Sequence, residues 1–190
     1  MLVIGINDTH DASACLIKDG QIIDVVLEER LSRKKGISSL PVKSIRYILK
    51  KNKIKSKDID HISVANQNLN HMNLWNINCD FKIFDWLKLQ EKYYYETIFK
   101  KRKKKLRNIF PKYKPSCSLG YSLKKIPFIS SDEATEKHYK IINKVRINTI
   151  CKLFKVSPNK ISFHDHHKCH AFYGYFTNPK KNKLTAVVTA

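Results

Sequence analysis

The first third of the chain alternates short apolar runs with polar turns. Residues 2–6 form a compact apolar run without the polar alternation of a half-exposed strand, which predicts a strand buried on both faces. Asn7-Asp8-Thr9-His10-Asp11 comes next, and its side chains favour a turn. The strand pattern resumes over 12–17, Asp19-Gly20 marks a tight hairpin, and 21–27 supplies a third strand rich in Ile and Val. Three consecutive antiparallel strands are therefore expected. Glu28-Glu29-Arg30 closes the third of them, and Ser32-Arg33-Lys34-Lys35-Gly36 reads as a basic loop. Pro41 suits a helix start, with Ile45, Ile48 and Leu49 at helical spacing behind it. A further strand is predicted over 61–65.

Residues 66–127 change character. Phe81, Phe84, Trp86, Leu87 and Leu89, then Tyr93, Tyr94, Ile98 and Phe99, predict a helical, aromatic-rich insertion. The run Lys100-Lys101-Arg102-Lys103-Lys104-Lys105 is expected to end it on a solvated face, where cations suit a helix C-terminus. Pro111, Pro115 and Pro127 punctuate a loop behind that run. Ser130 and Glu133 have capping-box spacing, and the helix behind them should carry Tyr139, Ile142, Val145, Ile150 and Phe154. Ser157-Pro158-Asn159 breaks that helix, and a short strand is expected over 160–163. Asp165 is placed to cap a last helix that presents Ala171, Phe172, Tyr175 and Phe176 to the core. One more buried strand is expected over 184–189. Neither an internal repeat nor a domain linker is evident.

Composition narrows the classes. A chain of 190 residues with 42% apolar content can bury a domain-sized core. The net charge of +21 raises the question of an acidic partner. Lys far outnumbers Arg, however, and bidentate base contacts draw on Arg, so the charge reads as a solvated surface before it reads as a nucleic-acid site. The five cysteines include no C-x-x-C pair, as in a reducing compartment, and a cytoplasmic location is expected. No apolar run approaches bilayer-spanning length, so no membrane partner is expected.

The candidate chemistry lies in three places. His166 and His170 have the i,i+4 spacing that stacks two imidazoles on one helix face, where they can share a divalent metal. A solvated histidine pair has the same spacing, and position 167 lacks the glutamate of zinc proteases. Cys169 falls on a different helix face and reads as packing. The polar turn at 7–11 can offer amides and side chains to a phosphate, with His10 as a titrating group, or be an ordinary turn. Glu28, Glu29 and Arg30, with Arg33 and Lys34 nearby, can bind a polar substrate or form surface ion pairs.

Taken in order, Gly5-Ile6-Asn7-x-x-His10-Asp11-x-Ser13-Ala14, Asp19-Gly20, Glu28-Glu29-Arg30-x-x-Arg33-x-Lys35 and His166-His167-x-x-His170-Ala171 resemble the carbamoyltransferases of the nodulation-protein U and tobramycin O-carbamoyltransferase family. The resemblance covers both ends of the chain; the middle matches only in character. It implies an α/β fold with an actin-like (ribonuclease H-like) first lobe, a mixed sheet flanked by helices. It also implies ATP-dependent O-carbamoylation, in which a YrdC-like domain makes carbamoyl-adenylate from carbamoyl phosphate and ATP. The other domain then moves the carbamoyl group to a hydroxyl of a sugar or secondary metabolite.

By that resemblance His10 is the catalytic histidine, and Asn7, Asp11, Glu28, Glu29 and Arg30 are substrate- or nucleotide-binding. His166 and His170 are metal ligands, with iron the expected divalent metal. The family pattern continues past position 190 into a metal-ligating aspartate, the second half of the lobe and the YrdC-like domain. The expectation is thus an incomplete lobe, inactive alone. The alternatives are a subunit completed by a second chain and, less favoured, a basic nucleic-acid-binding module.

Overall fold

A computed structural model describes residues 1–69, 81–111, 120–121, 135–178 and 187. Its contacts divide the chain into two units, Met1–Asn68 with Arg146–Ala190, and Leu69–Val145.

The first unit is built on a five-stranded mixed sheet. Strands β1 (Leu2–Asn7), β2 (Ser13–Lys18) and β3 (Gln21–Leu27) form an antiparallel meander. Asp19 and Gly20 make its second turn, both at positive φ (50° and 82°), as a tight hairpin requires. β4 (His61–Val64) and β5 (Ile161–Phe163) add parallel to β1, giving the order β3-β2-β1-β4-β5. The meander, the hairpin and both later strands stand where the apolar runs predict them.

Alternation within the strands makes the core. Ile4, Ile6, Ala14, Leu16, Ile62 and Val64 are buried along one face. On the other face the register sets Gly5 between Cys15 and Ser63. A β-carbon at position 5 would collide with the Cys15 thiol unless that thiol moves, so the close approach favours glycine there.

Helix α1 (Glu28–Ser32) starts directly behind β3, and α2 (Val42–Lys51) packs on β2 and β3. α2 buries Ser44, Ile45 and Ile48 and exposes Lys43, Arg46, Lys50 and Lys51, the helical stripe its sequence predicts. The start of α1 at Glu28 differs from the expected continuous strand end and loop. There the Glu28 carboxylate docks on the first turn of α2, a long-range contact that local pattern does not show.

In the second unit, α3 (Ile83–Leu89) runs on as a π-helical stretch over Gln90–Phe99, and a short α4 (Leu106–Ile109) comes after it. Leu89 and Leu106 form a small core there with Phe81, Tyr93, Tyr94 and Phe110 around it. The helix ends at Phe99, and residues 100–105 are exposed, as expected of a cationic run. Within that run Lys100, Arg102 and Lys104 all pair with Glu96.

Helix α5 (Glu136–Phe154) buries Ile142, Val145, Ile150 and Phe154. The Ser130 capping box and most of the 184–189 strand lie outside the described residues. Helix α6 (His166–Thr177) is capped as expected by Asp165, whose carboxylate accepts from the Lys168 amide at 2.9 Å. Its core face is a correction: Phe172 and Phe176 are 57% and 63% exposed, and only Ala171 and Tyr175 of the expected four are half-buried. Helical spacing identifies an apolar face but not whether anything covers it. Among the described residues, no helix is long and apolar enough to cross a membrane.

Candidate functional site

The topology gathers the three candidate groups at one end of the sheet. β1, β3, β4 and β5 all run the same way, and Leu27, Ser13 and Asn7 stand in one cross-strand row. The turn behind β1, the Glu28–Arg30 segment behind β3 and α6 behind β5 therefore emerge along the same edge. This is the C-terminal edge of the parallel strands, where open α/β sheets bind ligands. β4 alone separates β1 from β5, a strand-to-strand spacing of about 10 Å. β3 lies about 19 Å from β5 by the same spacing, so the acidic segment and the histidine pair occupy opposite flanks.

The turn is held by its own first residue. The Asn7 side-chain amide donates to the carbonyls of His10 (3.0 Å) and Asp11 (3.4 Å). Its oxygen accepts from the Thr9 amide (3.2 Å) and hydroxyl (2.7 Å). Asp11 adopts φ 54° and sets its carboxylate 2.9 Å from His10 Nδ1. In the neutral ring, an accepting carboxylate there favours the proton on Nδ1, which leaves Nε2 as an acceptor. The His10 side chain is 78% exposed, so this nitrogen is open to an incoming group.

Glu28 and Glu29 face inward. Glu28 is 4% exposed; its carboxylate accepts from the amides of Lys43 (3.1 Å) and Ser44 (2.8 Å) and from the Ser44 hydroxyl (2.7 Å). It is an anionic cap on α2, borrowed from a neighbouring segment. Glu29 accepts from the Gly36 amide (3.1 Å) and closes the basic loop. The exposed Arg30 guanidinium lies 3.7 Å from Glu29.

His166 and His170 meet on the exposed face of α6, their Nε2 atoms 3.0 Å apart and their rings nearly perpendicular. Two nitrogens so spaced can each lie about 2.1 Å from one divalent ion, subtending about 90° at it. The donor set fits a borderline metal such as zinc or iron. Among the described residues, no third His, Cys, Asp or Glu completes a cluster with them. Burial, then the nearby Asp165 carboxylate, pushes the Cys169 thiol up from its ordinary range, in keeping with a packing role.

Two features had no place in the motif reading. His61 and His164 both hydrogen-bond the Ser162 hydroxyl, at 2.7 and 2.9 Å, across β4 and β5. More telling, Arg146 and Asp8 form an ion pair with both side chains fully buried. Arg146 Nε donates to one Asp8 oxygen at 3.0 Å and an Nη to the other at 2.9 Å. A sequence signal for it exists: Ile142, Arg146 and Ile150 are spaced i, i+4, i+8, which places a charge inside an apolar stripe.

Comparison with known proteins bears on the family of the chain. The family model described as the carbamoyltransferase N-terminus matches residues 2–190. A Methanocaldococcus jannaschii protein of uncharacterised function is 44% identical over 64 residues, 34% of this chain and 12% of that protein. An uncharacterised Synechocystis protein is 45% identical over 53 residues, 28% of this chain and 9% of its own length. The nodulation protein NolNO of Sinorhizobium fredii is 46% identical over 54 residues, 28% of this chain and 8% of NolNO. This chain spans well under two thirds of the length of each of these relatives. With the family match running from the first strand to the last residue, the chain belongs to the carbamoyltransferase N-terminus family.

Proposed function

We propose that this chain forms the first, actin-like lobe of an ATP-dependent O-carbamoyltransferase. The sheet order, three antiparallel strands extended by two parallel ones, supports the actin-like reading. The observation that carries the function is the meeting of the family's turn and histidine motifs at one sheet end, in a chain that the family matches over residues 2–190.

In this reading carbamoyl-adenylate lies along that edge. Its phosphate faces the turn at 7–11, and the acceptor hydroxyl approaches His10. His10 Nε2 takes the hydroxyl proton as the oxygen attacks the carbamoyl carbon. The new C–O bond forms while the bond from that carbon to the phosphate oxygen breaks, and its electron pair leaves with AMP. Asp11 holds the ring in the tautomer that accepts the proton and stabilises the imidazolium that results. Asn7 keeps the His10 and Asp11 carbonyls turned inward, so the side chains above them face the ligand. His166 and His170 would hold a divalent metal, which when bound supplies positive charge at the nucleotide phosphate.

Glu28 and Glu29 act one step back, fixing α2 and the loop at 33–36, while Arg30, exposed beside Glu29, is the member of that triplet that can reach an anion. The adenylate-forming activity this reading requires is that of a YrdC-like domain. The test uses labelled carbamoyl phosphate, ATP, this chain and a separately expressed polypeptide that carries the rest of the lobe with the YrdC-like domain, with a panel of sugar hydroxyls as acceptors. Label should reach an acceptor only when both chains are present, and His10→Ala should abolish transfer. Transfer by the YrdC-like polypeptide alone, or undiminished transfer with His10→Ala, overturns the reading.

A further inference from the structure

Arg146 touches the chain just at or beyond the ends of β1, β4 and β5. Its guanidinium is bidentate on Asp8, the residue after β1. Its remaining arm donates to the Asn66 carbonyl, two residues beyond β4, at 2.8 Å. Its flat face lies 4.3 Å from the centre of the Phe163 ring, the last residue of β5. Both charged side chains are fully buried. A pair so buried gains little stability over a well-packed apolar pair, because desolvation offsets the attraction. What it does supply is orientation: the planar fork fixes three directions at once, which no aliphatic side chain does.

The three points it fixes are where the site begins. Asp8 is the second residue of the turn that carries His10 and Asp11. Phe163 precedes the His164-Asp165 link into α6, which carries His166 and His170. Asn66 sits beside Gln67, whose amide donates to the His164 carbonyl at 2.8 Å. One cation therefore joins the turn to the histidine helix directly, although the two are far apart in sequence and β1 and β5 do not pair with each other.

We propose that Arg146, through Asp8, is a positioning residue that fixes the distance between the His10 turn and the His166/His170 pair. The inference rests on the reading of turn and pair as one site. It assigns neither Arg146 nor Asp8 to contact with substrate.

The test compares the full chain with Arg146→Lys, Asp8→Asn and the apolar pair Asp8→Leu/Arg146→Met. Co2+ is added as a paramagnetic probe, and the amide shifts it induces report the position of residues 9–12 relative to the histidine pair. The single variants should lower the thermal midpoint, and the apolar pair should recover it, as buried ion pairs replaced by apolar groups do. The Co2+-induced shifts at Thr9, Asp11 and Ala12 should nevertheless fall to about half or less in all three variants, with about tenfold faster amide exchange at Thr9 and Ala12. Shifts within α6 should stay as in the unaltered chain.

An apolar pair that restores both the midpoint and the shifts overturns the proposal, because Arg146 would then be core packing alone. Unchanged exchange at Thr9 and Ala12 in Arg146→Lys and Asp8→Asn overturns it equally. If the unaltered chain shows no Co2+-induced shifts, it is the metal reading of His166 and His170 that fails. The exchange rates then decide the clamp independently: faster exchange in the recovered apolar pair supports it, and unchanged exchange defeats it.

Discussion

Replacing Glu28 separates two roles that its sequence motif leaves open. In the structure the carboxylate is 4% exposed and accepts three hydrogen bonds, two from backbone amides at the start of α2 and one from the fully buried Ser44 hydroxyl. Glu28→Ala strands those donors where water has little access. A hydrogen bond to a charged group contributes about 1.5–3 kcal/mol, and an orphaned buried donor costs about 1–3 kcal/mol. The three bonds share one carboxylate and do not add, so the expected loss is about 3 kcal/mol. That is a large part of the roughly 5–15 kcal/mol that stabilises a domain.

Glu28→Gln keeps one acceptor oxygen but turns an amide NH2 toward N–H groups, and should cost about 2 kcal/mol. Glu29→Ala removes one bond, to the exposed Gly36, and should cost about 1 kcal/mol. Urea unfolding followed by far-ultraviolet circular dichroism reads these differences as midpoint shifts at constant slope. Glu28→Ala within about 0.5 kcal/mol of the parent would refute the capping argument and return Glu28 to the substrate-binding role.

Packing and electrostatics lead to two further outcomes. Gly5→Ala should destabilise the sheet by about 1–3 kcal/mol, because a β-carbon there meets the Cys15 thiol. Adding Cys15→Ala should recover most of that loss in thermal unfolding, and a neutral Gly5→Ala would count against the register. Asp24 and Lys51 pair at 2.9 Å, which holds the Asp24 carboxyl below its usual range and raises the Lys51 ammonium above its own. Their mutual stabilisation is full above the ordinary carboxylate pKa of 3.8 and fades as pH falls through the lowered value. At the alkaline end it is full below 10.5 and fades as pH rises through the raised value. Lys51 is exposed, so Asp24→Asn should lower the urea midpoint only slightly at pH 7 while removing this acid-limb dependence; an unchanged acid limb in urea titrations would contradict it.

Local chemistry was legible in the sequence and long-range pairing was not. The three meander strands, the Asp19-Gly20 hairpin, the stripe of α2 and the Asp165 cap all depend on neighbours within a few residues. Each stands where composition and spacing put it. Glu28 shows the limit: an acidic pair beside basic residues looks like a surface site, and only the approach of α2 reveals a buried cap.

α6 shows a second limit. Its apolar residues have helical spacing, yet Phe172 and Phe176 are exposed, since periodicity says which face is apolar and nothing about what covers it. The Arg146–Asp8 pair joins residues 138 apart. Its trace in the sequence is a charge in an apolar stripe, which says that a partner must exist without saying where. The site's ends were therefore readable as motifs, while the group that sets one against the other came only with the fold.

The turn at 7–11 and the histidine pair should act as one carbamoyl-adenylate site. Titration of the full chain with a non-hydrolysable carbamoyl-adenylate analogue, followed by amide shifts and calorimetry, tests this most directly. The expected result is saturable binding with shifts at both Thr9–Ala12 and His166–His170, weakened about tenfold or more by His10→Ala. No binding, or binding whose shifts fall elsewhere and ignore His10→Ala, would contradict it.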